Sequence, residues 1–565
     1  MNKNLKNKYL SSAFLLLVTS LIVKIIGAVY KIPLTAYIGA TGRGYFANAY
    51  NLCIPIHGIT MGAFPVALSK LVSKYNACGD KKRLKALRVG ADRLFFAVGI
   101  TGTALMMFFA KPYARYIASS PDCIYTVAVL APCVLFSCLA ASYRGYYEGF
   151  LNMVPTSVSQ LIEAVFKMVF GILFARVSMW YLVAEYQKAG TVLGSFASSE
   201  QEALSMIYPY TSAAAMMGVT LGSLVSLAYV FLYHRIKCDR TIERIKDYGS
   251  PAVNELLSFA FPIMISCAVQ SVFQFLDTAS IQYSLSNADL SLLKSVYAES
   301  LELAGSSDKD VVTYVYGIFS TALDFKNLIP GITMALGVSA VPAISAAVEV
   351  KDKEKLSSLC ICVFKYTTLL SVFGGFFIAL NSRDILTLFY SSSQDIIDGC
   401  DEIVKLFSLT VPVYSIAGTA VFAVQAIGKP EKSILPYCVS GVIRVALNMI
   451  LVSNSKFILN GAVIAGFAGY FVMAIWNIII AIRESKMNFS FLQALIKPIF
   501  AGICLYVCAG YIFKSIDLGL NIFVTLVVKG VLCVMIFAVL CLILGCLSIS
   551  EIKSFINCKK NSLNT

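Results

Sequence analysis

Long apolar stretches, most of them broken by no more than one or two charged residues, recur along the chain from Leu10 to Gly545. The first of them reads AFLLLVTSLIVKIIGAVYKIPL and shows no alternation of polar and apolar positions. Because about 20 apolar residues cross a bilayer as a helix, whereas a membrane barrel requires alternation, the pattern predicts about 14 transmembrane helices. We number these predicted spans 1 to 14 in chain order: 10–38, 45–73, 88–110, 123–148, 156–182, 208–233, 254–282, 313–346, 361–382, 403–427, 433–452, 461–482, 491–513 and 521–547.

Composition excludes an ordinary soluble protein, since 58% of residues are hydrophobic and only 14% are charged. Charge then predicts the orientation. Alternate connections between spans, together with the two ends of the chain, hold 27 of the 46 Lys and Arg, whereas the other connections hold nine against 15 Asp and Glu. The positive-inside rule therefore predicts a multi-pass protein of the cytoplasmic membrane with both termini cytoplasmic. Most of the Lys and Arg residues lie on connections and chain ends that are expected to face anionic membrane lipids. The net charge of +15 therefore does not indicate a nucleic-acid partner, and none is expected.

A weak internal repeat suggests a duplicated architecture. The tetrapeptide GITM occurs at 58–61 in span 2 and at 331–334 in span 8, each time followed by a proline and then a basic stretch. Six helices per repeat give two halves of the same membrane orientation. We therefore predict an all-α polytopic protein with two six-helix pseudo-symmetric lobes, 1–245 and 246–486, followed by two extra C-terminal helices and a tail, 487–565.

Ionisable and strongly polar residues inside the predicted spans form the candidate site, because each such group is costly in a bilayer. The candidate substrate-binding residues are Lys24, Lys31, His57, Lys167, Gln270, Gln274, Lys326 and Arg444. The candidate charge-balancing or ion-coupling residues are Glu163, Asp277 and Asp324. Glu163 and Lys167 are four residues apart and can pair on one helix, and Arg144 is expected to snorkel from the end of span 4.

Two interpretations of these charges stay open. They either line a hydrated, net-positive cavity suited to an anion such as a pyrophosphate, or form scattered structural pairs. Catalytic chemistry has little support, since the chain has two histidines and no nucleotide-binding, serine-hydrolase or zinc-protease motif. No catalytic residue, metal site or cofactor is expected, and coupling to H⁺, Na⁺ or the membrane potential is left open.

Four stretches carry a family resemblance: IIGAVYKIPLTAYIGATGRGYFANAYN, PVALSKLVSKYNACGDKKRLK, YRGYYEGFLNMVPTSVSQLIE and GVSAVPAISAAV. They resemble polysaccharide-biosynthesis flippases, nearest the Firmicute stage V sporulation protein B and lipid II flippase group, in the superfamily that includes multidrug and toxin extruders. The resemblance implies alternating access, a lipid-linked sugar as cargo, and a groove for the polyprenyl tail at spans 13 and 14. It also implies that basic residues of span 1, with Lys167 and Arg444, contact the cargo. One departure concerns span 2, where Gram-negative lipid II flippases carry an arginine and this chain reads IPIHGI.

The predicted function is a flippase that moves a lipid-linked anionic saccharide, such as an undecaprenyl-pyrophosphate sugar, across the membrane. Cell-wall synthesis proteins are candidate partners, and a sporulation-specific role is left open. A cation-coupled drug exporter is the alternative, which would favour a cavity rich in acids and aromatic rings. A membrane glycosyltransferase or ligase is a further alternative that would need a catalytic outer loop, for which 283–312 is the long candidate. The last alternative is a non-transporting scaffold in a cell-wall or sporulation complex.

Overall fold

The computed structural model describes residues 3–237, 251–515 and 521–546, which are almost wholly helical. The α-helices are α1 Lys3–Gly62, α2 Phe64–Ala77, α3 Lys81–Tyr116, α4 Cys123–Gly149, α5 Val154–Ala189, α6 Glu200–Lys237, α7 Pro251–Ser286, α8 Leu290–Val296, α9 Ala298–Leu303, α10 Val311–Glu349, α11 Lys353–Leu380, α12 Ser382–Tyr390, α13 Gln394–Ala426, α14 Ile434–Leu451, α15 Leu459–Ser485, α16 Lys497–Ser515 and α17 Ile522–Ile543. A 3₁₀ turn at Pro430–Ser433 precedes α14, and a π-helical turn at Leu492–Ile496 precedes α16. Two short strands, β1 Thr191–Val192 and β2 Ser195–Phe196, form an antiparallel hairpin.

The helices confirm the predicted all-α polytopic membrane protein. In the described ranges, twelve helices are long and apolar enough to cross a membrane, or thirteen if the bent pair Val253–Phe261 and Ile263–Ser286 is one span. The count falls below the 14 predicted spans because α1 runs continuously through the first of them and most of the second.

Gly39 explains how two predicted spans share one helix. Its φ of 65° and ψ of −179° are non-helical, so the run Lys3–Gly62 is kinked there rather than interrupted by a loop. A side chain at this φ would be strained, and a Cβ would also lie 3.3 Å from the Tyr208 hydroxyl. The predicted connection 39–44 is therefore wrong: these residues are helical around the kink, and Arg43, counted as a loop charge, is buried beside the ring of Phe46.

The long connection 283–312, the candidate for a catalytic outer loop, is folded into short helices. It contains α8 and α9, and its end is tied to neighbouring helices by the buried carboxylate of Asp310. That carboxylate accepts hydrogen bonds from the Tyr45 hydroxyl at 2.7 Å and from Ser307 Oγ at 3.0 Å. The segment is thus packed against α1 through the Asp310–Tyr45 hydrogen bond.

The chain divides into two compact units. Unit 1 comprises Met1–Thr321 and Val445–Ile458, and unit 2 comprises Ala322–Arg444 and Leu459–Thr565. Two of the three divisions fall within helices, α10 and α14, and the third falls where α15 begins. The lobes predicted from the repeat remain a prediction, and their boundary at 245/246 lies outside the described residues, as does the predicted basic tail at 550–565.

Small residues bring the helices of unit 1 close enough to position its polar groups. A Cβ on Gly218 of α6 would collide with the backbone of Gly171 in α5. One turn further along α6, a Cβ on Gly222 would lie 2.9 Å from the Glu163 carbonyl oxygen and 3.1 Å from the Lys167 backbone nitrogen. Glycine at these positions lets α6 pack directly on the α5 backbone, as small residues do between membrane helices.

Unit 2 packs α11, α13 and α15 around a core that includes Phe364 and Cys360. Predicted spans 13 and 14 correspond to α16 and α17, which pack on α11 through aromatic contacts such as Phe373 with Phe537 at 5.5 Å. The Lys529 ammonium of α17 also lies 2.6 Å from the Asp384 carboxylate of α12. The two extra helices are thus part of the unit rather than an appendage.

Candidate functional site

A cavity of about 430 Å³ lies among the helices of unit 1. Its walls come from α1, α4, α5, α6 and α7, and they are lined by Tyr50, Cys53, Ile54, His57, Gly58, Leu130, Cys133, Ser137, Glu163, Lys167, Val219, Ser271 and Gln274. Four of the residues predicted from the sequence are among them: His57, Glu163, Lys167 and Gln274. The structure therefore brings together polar groups from three of the predicted spans.

Lys167 is the cation of this cavity. Its half-buried ammonium donates a hydrogen bond to the Tyr50 hydroxyl at 2.6 Å and lies 4.9 Å from the centre of the Tyr50 ring. The Tyr30 ring centre is 5.6 Å away. Aromatic faces attract a cation without cancelling its charge, so the two tyrosines orient Lys167 on the cavity wall while its positive charge is kept.

Glu163, the acid of the cavity, forms an ion pair with Arg144 of α4. One guanidinium nitrogen of Arg144 lies 2.8 Å from the Glu163 carboxylate, and the same side chain donates to Ser159 Oγ at 2.8 Å and to Ser226 Oγ at 2.7 Å. The prediction that Arg144 snorkels is wrong, since the residue is only 8% exposed. Its partners on α5 and α6 hold it inside the unit.

The crossing of α1 with α7 places His57 near Gln274. A Cβ on Gly58 would collide with Ser271 Oγ, so glycine is needed for α7 to approach this closely. Tyr50 and Ser271 were missed from the sequence, because a tyrosine or serine within an apolar span carries no distinctive signal.

The remaining candidates of unit 1 lie elsewhere. Lys24 and Gln270 are exposed and Lys31 is half-buried, and none of the three is among the residues that line the cavity. Asp277 accepts a hydrogen bond from Asn448 Nδ2 at 3.0 Å, which ties α7 to the end of α14.

Unit 2 has its own concentration of charge, which we call the cation cluster: Lys326, Arg444, Phe407, Tyr414 and Tyr470. The Lys326 ammonium is 8% exposed and lies 5.0, 4.9 and 5.2 Å from the ring centres of Phe407, Tyr414 and Tyr470. Arg444 is 3% exposed, stacks 4.7 Å from the Tyr470 ring and donates from Nη1 to the Tyr470 hydroxyl at 3.0 Å. The structure thus brings together two predicted site residues, Lys326 and Arg444, at the side chain of Tyr470.

Gly469 makes this arrangement possible, because a Cβ there would collide with the Arg444 side chain. Asp324 is half-buried on α10, two residues from Lys326. No group of three or more His, Cys, Asp or Glu side chains suited to a metal ion occurs within the described ranges.

Two family models match the chain: a polysaccharide biosynthesis protein model over residues 9–199 and the MatE model over residues 316–450. The chain is 22% identical over 501 residues to stage V sporulation protein B of Bacillus subtilis (strain 168), covering 86% of this chain and 87% of that protein. It is 22% identical over 538 residues to lipid II flippase MurJ of the same organism, covering 92% and 90%. The predicted resemblance is confirmed.

Solved structures agree on the fold of this chain. A lipid II flippase MurJ in an inward closed conformation matches with a TM-score of 0.63 at 15% identity, covering 92% of this chain and 97% of that one. An inward-facing multidrug resistance MATE transporter of the MOP superfamily matches with a TM-score of 0.62 at 15% identity, covering 84% and 99%. The relatives whose names state an activity are flippases and transporters, not enzymes, as predicted for this chain.

Proposed function

We propose that this protein moves a lipid-linked anionic saccharide from the inner to the outer leaflet of the cytoplasmic membrane by alternating access, with both termini cytoplasmic. The cargo class, an undecaprenyl-pyrophosphate sugar, is proposed from the similarity to a lipid II flippase together with the basic groups described above. Membrane lipids surround the chain, and cell-wall synthesis proteins are the proposed partners.

The observation that carries the proposal is Lys167 on the wall of a cavity within a membrane protein, together with several polar side chains. A pyrophosphate has oxygens that accept charge-assisted hydrogen bonds, and an ammonium already oriented by Tyr50 offers one with little loss of side-chain freedom. His57, Ser137, Ser271 and Gln274 supply neutral polar groups for a saccharide. We further propose that Lys24, Lys31, Gln270, Lys326 and Arg444 contribute to attraction of the cargo during the transport cycle.

We assign the coupling of transport to H⁺ or Na⁺ to the acidic side chains. Glu163 is the best placed, since it lines the cavity, and binding of a proton or Na⁺ there would compete with its ion pair to Arg144. Asp277 and Asp324 are the other proposed charge-balancing groups. Besides H⁺ and Na⁺, the membrane potential is a third proposed driving force for transport, because the free energy of moving a charged cargo across the membrane depends on that potential.

The decisive experiment is complementation of a strain depleted of its lipid II flippases, with a leaflet-accessibility assay for the lipid. We expect Lys167→Gln to lose most transport at normal membrane abundance, and Lys167→Arg to retain part of it because the charge is kept. Lys188→Gln, an exposed lysine at the end of the same helix, is the matched control and should transport normally. Normal transport by Lys167→Gln would overturn the assignment.

A cation-coupled exporter of organic ions is the second candidate, favoured by the MatE match over residues 316–450 and by Glu163 in the cavity. Dye efflux with and without a Na⁺ or H⁺ gradient separates the two. Gradient-dependent efflux lost in Glu163→Gln, with no complementation of the depleted strain, would favour the exporter.

A further inference from the structure

A second cavity, of about 540 Å³, lies in unit 2 and shares no lining residue with the cation cluster. We call it the basic pocket, and the lining residues that matter here are Lys353, Ser357, Lys365, Lys486, Asn488 and Gln493. Neither the resemblance nor the proposed transport function uses it.

One wall of the basic pocket is a single face of α11. Lys353, Ser357, Ile361 and Lys365 follow one another at intervals of four residues, which places them on one side of the helix over about 18 Å. Lysines therefore stand at both ends of this wall, with an apolar residue between them.

The opposite wall is the segment 486–493, which is irregular as far as Ser490 and ends in the first residues of the π-helical turn. Met487 is buried, the Phe489 ring packs 5.3 Å from Phe364, and the Ser357 hydroxyl donates to the Asn488 carbonyl oxygen. Lys486 has a φ of 51°, unusual for a side-chain-bearing residue, and the π-helical turn Leu492–Ile496 follows. These contacts fix the segment and leave Lys486 and Asn488 exposed at the pocket.

The charge of the pocket selects its ligand. Three lysines and one carboxylate, Glu354, line it, and the serine hydroxyls and side-chain amides add hydrogen-bond donors. Basic pockets between membrane helices bind phosphate-bearing head groups. The pocket also joins 347–360 and 483–497, two segments whose positive charge predicts the same, cytoplasmic side of the membrane.

We propose that the basic pocket binds a phosphate-bearing anion through Lys353, Lys365 and Lys486. The phosphate can belong to an anionic phospholipid of the surrounding leaflet or to a soluble phosphate ester, and the same three lysines would hold either.

The test uses the purified full chain in nanodiscs. Binding of phosphatidylglycerol is titrated against a phosphatidylcholine background by native mass spectrometry, and glycerol 3-phosphate is titrated by thermal shift. At about 1 kcal/mol, or roughly fivefold in affinity, for each lysine near an anionic group, we expect the Lys353→Gln/Lys365→Gln/Lys486→Gln variant to weaken binding by about 100-fold. Glu354→Gln should tighten binding, since it removes the like charge. The corresponding triple Lys→Arg variant should bind nearly as the unaltered protein does, because it keeps the three positive charges.

The matched control, Lys351→Gln/Lys355→Gln/Lys429→Gln, removes the same charge from exposed positions of unit 2 outside the pocket. Loss of phosphatidylglycerol binding in the pocket variant alone supports a lipid ligand. Loss of glycerol 3-phosphate binding in the pocket variant alone supports a soluble one. Equal behaviour of the two triple variants toward both probes would overturn the proposal, and neither result depends on transport.

Discussion

The cavity of unit 1 and the cation cluster of unit 2 both place lysine inside a membrane protein, and they stabilise it differently. In unit 1, Lys167 and Glu163 line one cavity, and Arg144, the ion-pair partner of Glu163, donates hydrogen bonds to two serines. In unit 2, Lys326 is enclosed by three aromatic rings, and Arg444 shares one of them. The first arrangement presents a cation to a cavity, whereas the second buries its cations against ring faces.

This difference indicates which charged side chains can contact a ligand without a conformational change of the helices around them. A cation loses much of its hydration when it is enclosed, and the ring faces of the cluster replace part of it. Lys167 lines the cavity, and its ammonium donates a hydrogen bond to the Tyr50 hydroxyl. We therefore expect substitutions at Arg144 and at the aromatic rings of the cluster to affect mainly stability, and substitutions around Lys167 to affect mainly ligand binding.

The largest effect is expected for Arg144→Ala. Removing the guanidinium leaves the Glu163 carboxylate without its ion-pair partner, so the free energy of unfolding in detergent should fall by about 3 kcal/mol. Arg144→Ala/Glu163→Gln should recover part of the loss, while Arg115→Ala, at an exposed arginine, should stay within about 0.5 kcal/mol. An unchanged stability for Arg144→Ala would show that the ion pair is not structural.

The next effect concerns Tyr470, on which both cations of the cluster depend. Tyr470→Leu removes the shared ring, and we expect a loss of about 2 kcal/mol in the free energy of unfolding. Tyr470→Phe keeps the ring and loses only the hydrogen bond from Arg444, for a loss of about 1 kcal/mol. If the phenylalanine variant is as unstable as the leucine variant, the ring faces contribute little.

Chemical labelling tests the contrast in accessibility directly. A small, membrane-permeant amine reagent, read out by peptide mass spectrometry, should modify Lys167 severalfold faster than Lys326, because Lys326 is 8% exposed and Lys167 lines a cavity. Exposed Lys188 gives the upper reference rate. Faster modification of Lys326 than of Lys167 would reverse the proposed division of roles.

The smallest effect is expected for Tyr50→Phe, which removes the hydroxyl that orients Lys167 and keeps the ring. The loss of one hydrogen bond to a charged group predicts a decrease in transport of about tenfold or less, with stability changed by about 1 kcal/mol at most. Transport assays at matched membrane abundance provide the measurement. A complete loss of transport would indicate that the hydroxyl contacts the cargo itself.

Much of the candidate site could be found in the sequence. His57, Glu163, Lys167 and Gln274 stand out because ionisable and amide side chains are rare in apolar spans, and these four line the cavity. Their partners could not be found, since the Tyr50 contact depends on how α1 crosses α5. Arg144 was misjudged for the same reason: nearness to a helix end predicts snorkelling, but the facing serines and Glu163 decide its burial.

The sequence by itself determined the class of the protein, because the length and composition of apolar segments depend only on local residues and the thickness of a bilayer. It also identified which side chains are too polar for their spans. Only the tertiary structure decided that residues 39–44 continue a kinked helix and that Lys167 lies in a cavity while Lys326 lies within aromatic rings. The physical reason is that a buried charge is defined by groups on other helices, and close approach at glycines such as Gly222 and Gly469 determines which groups those are.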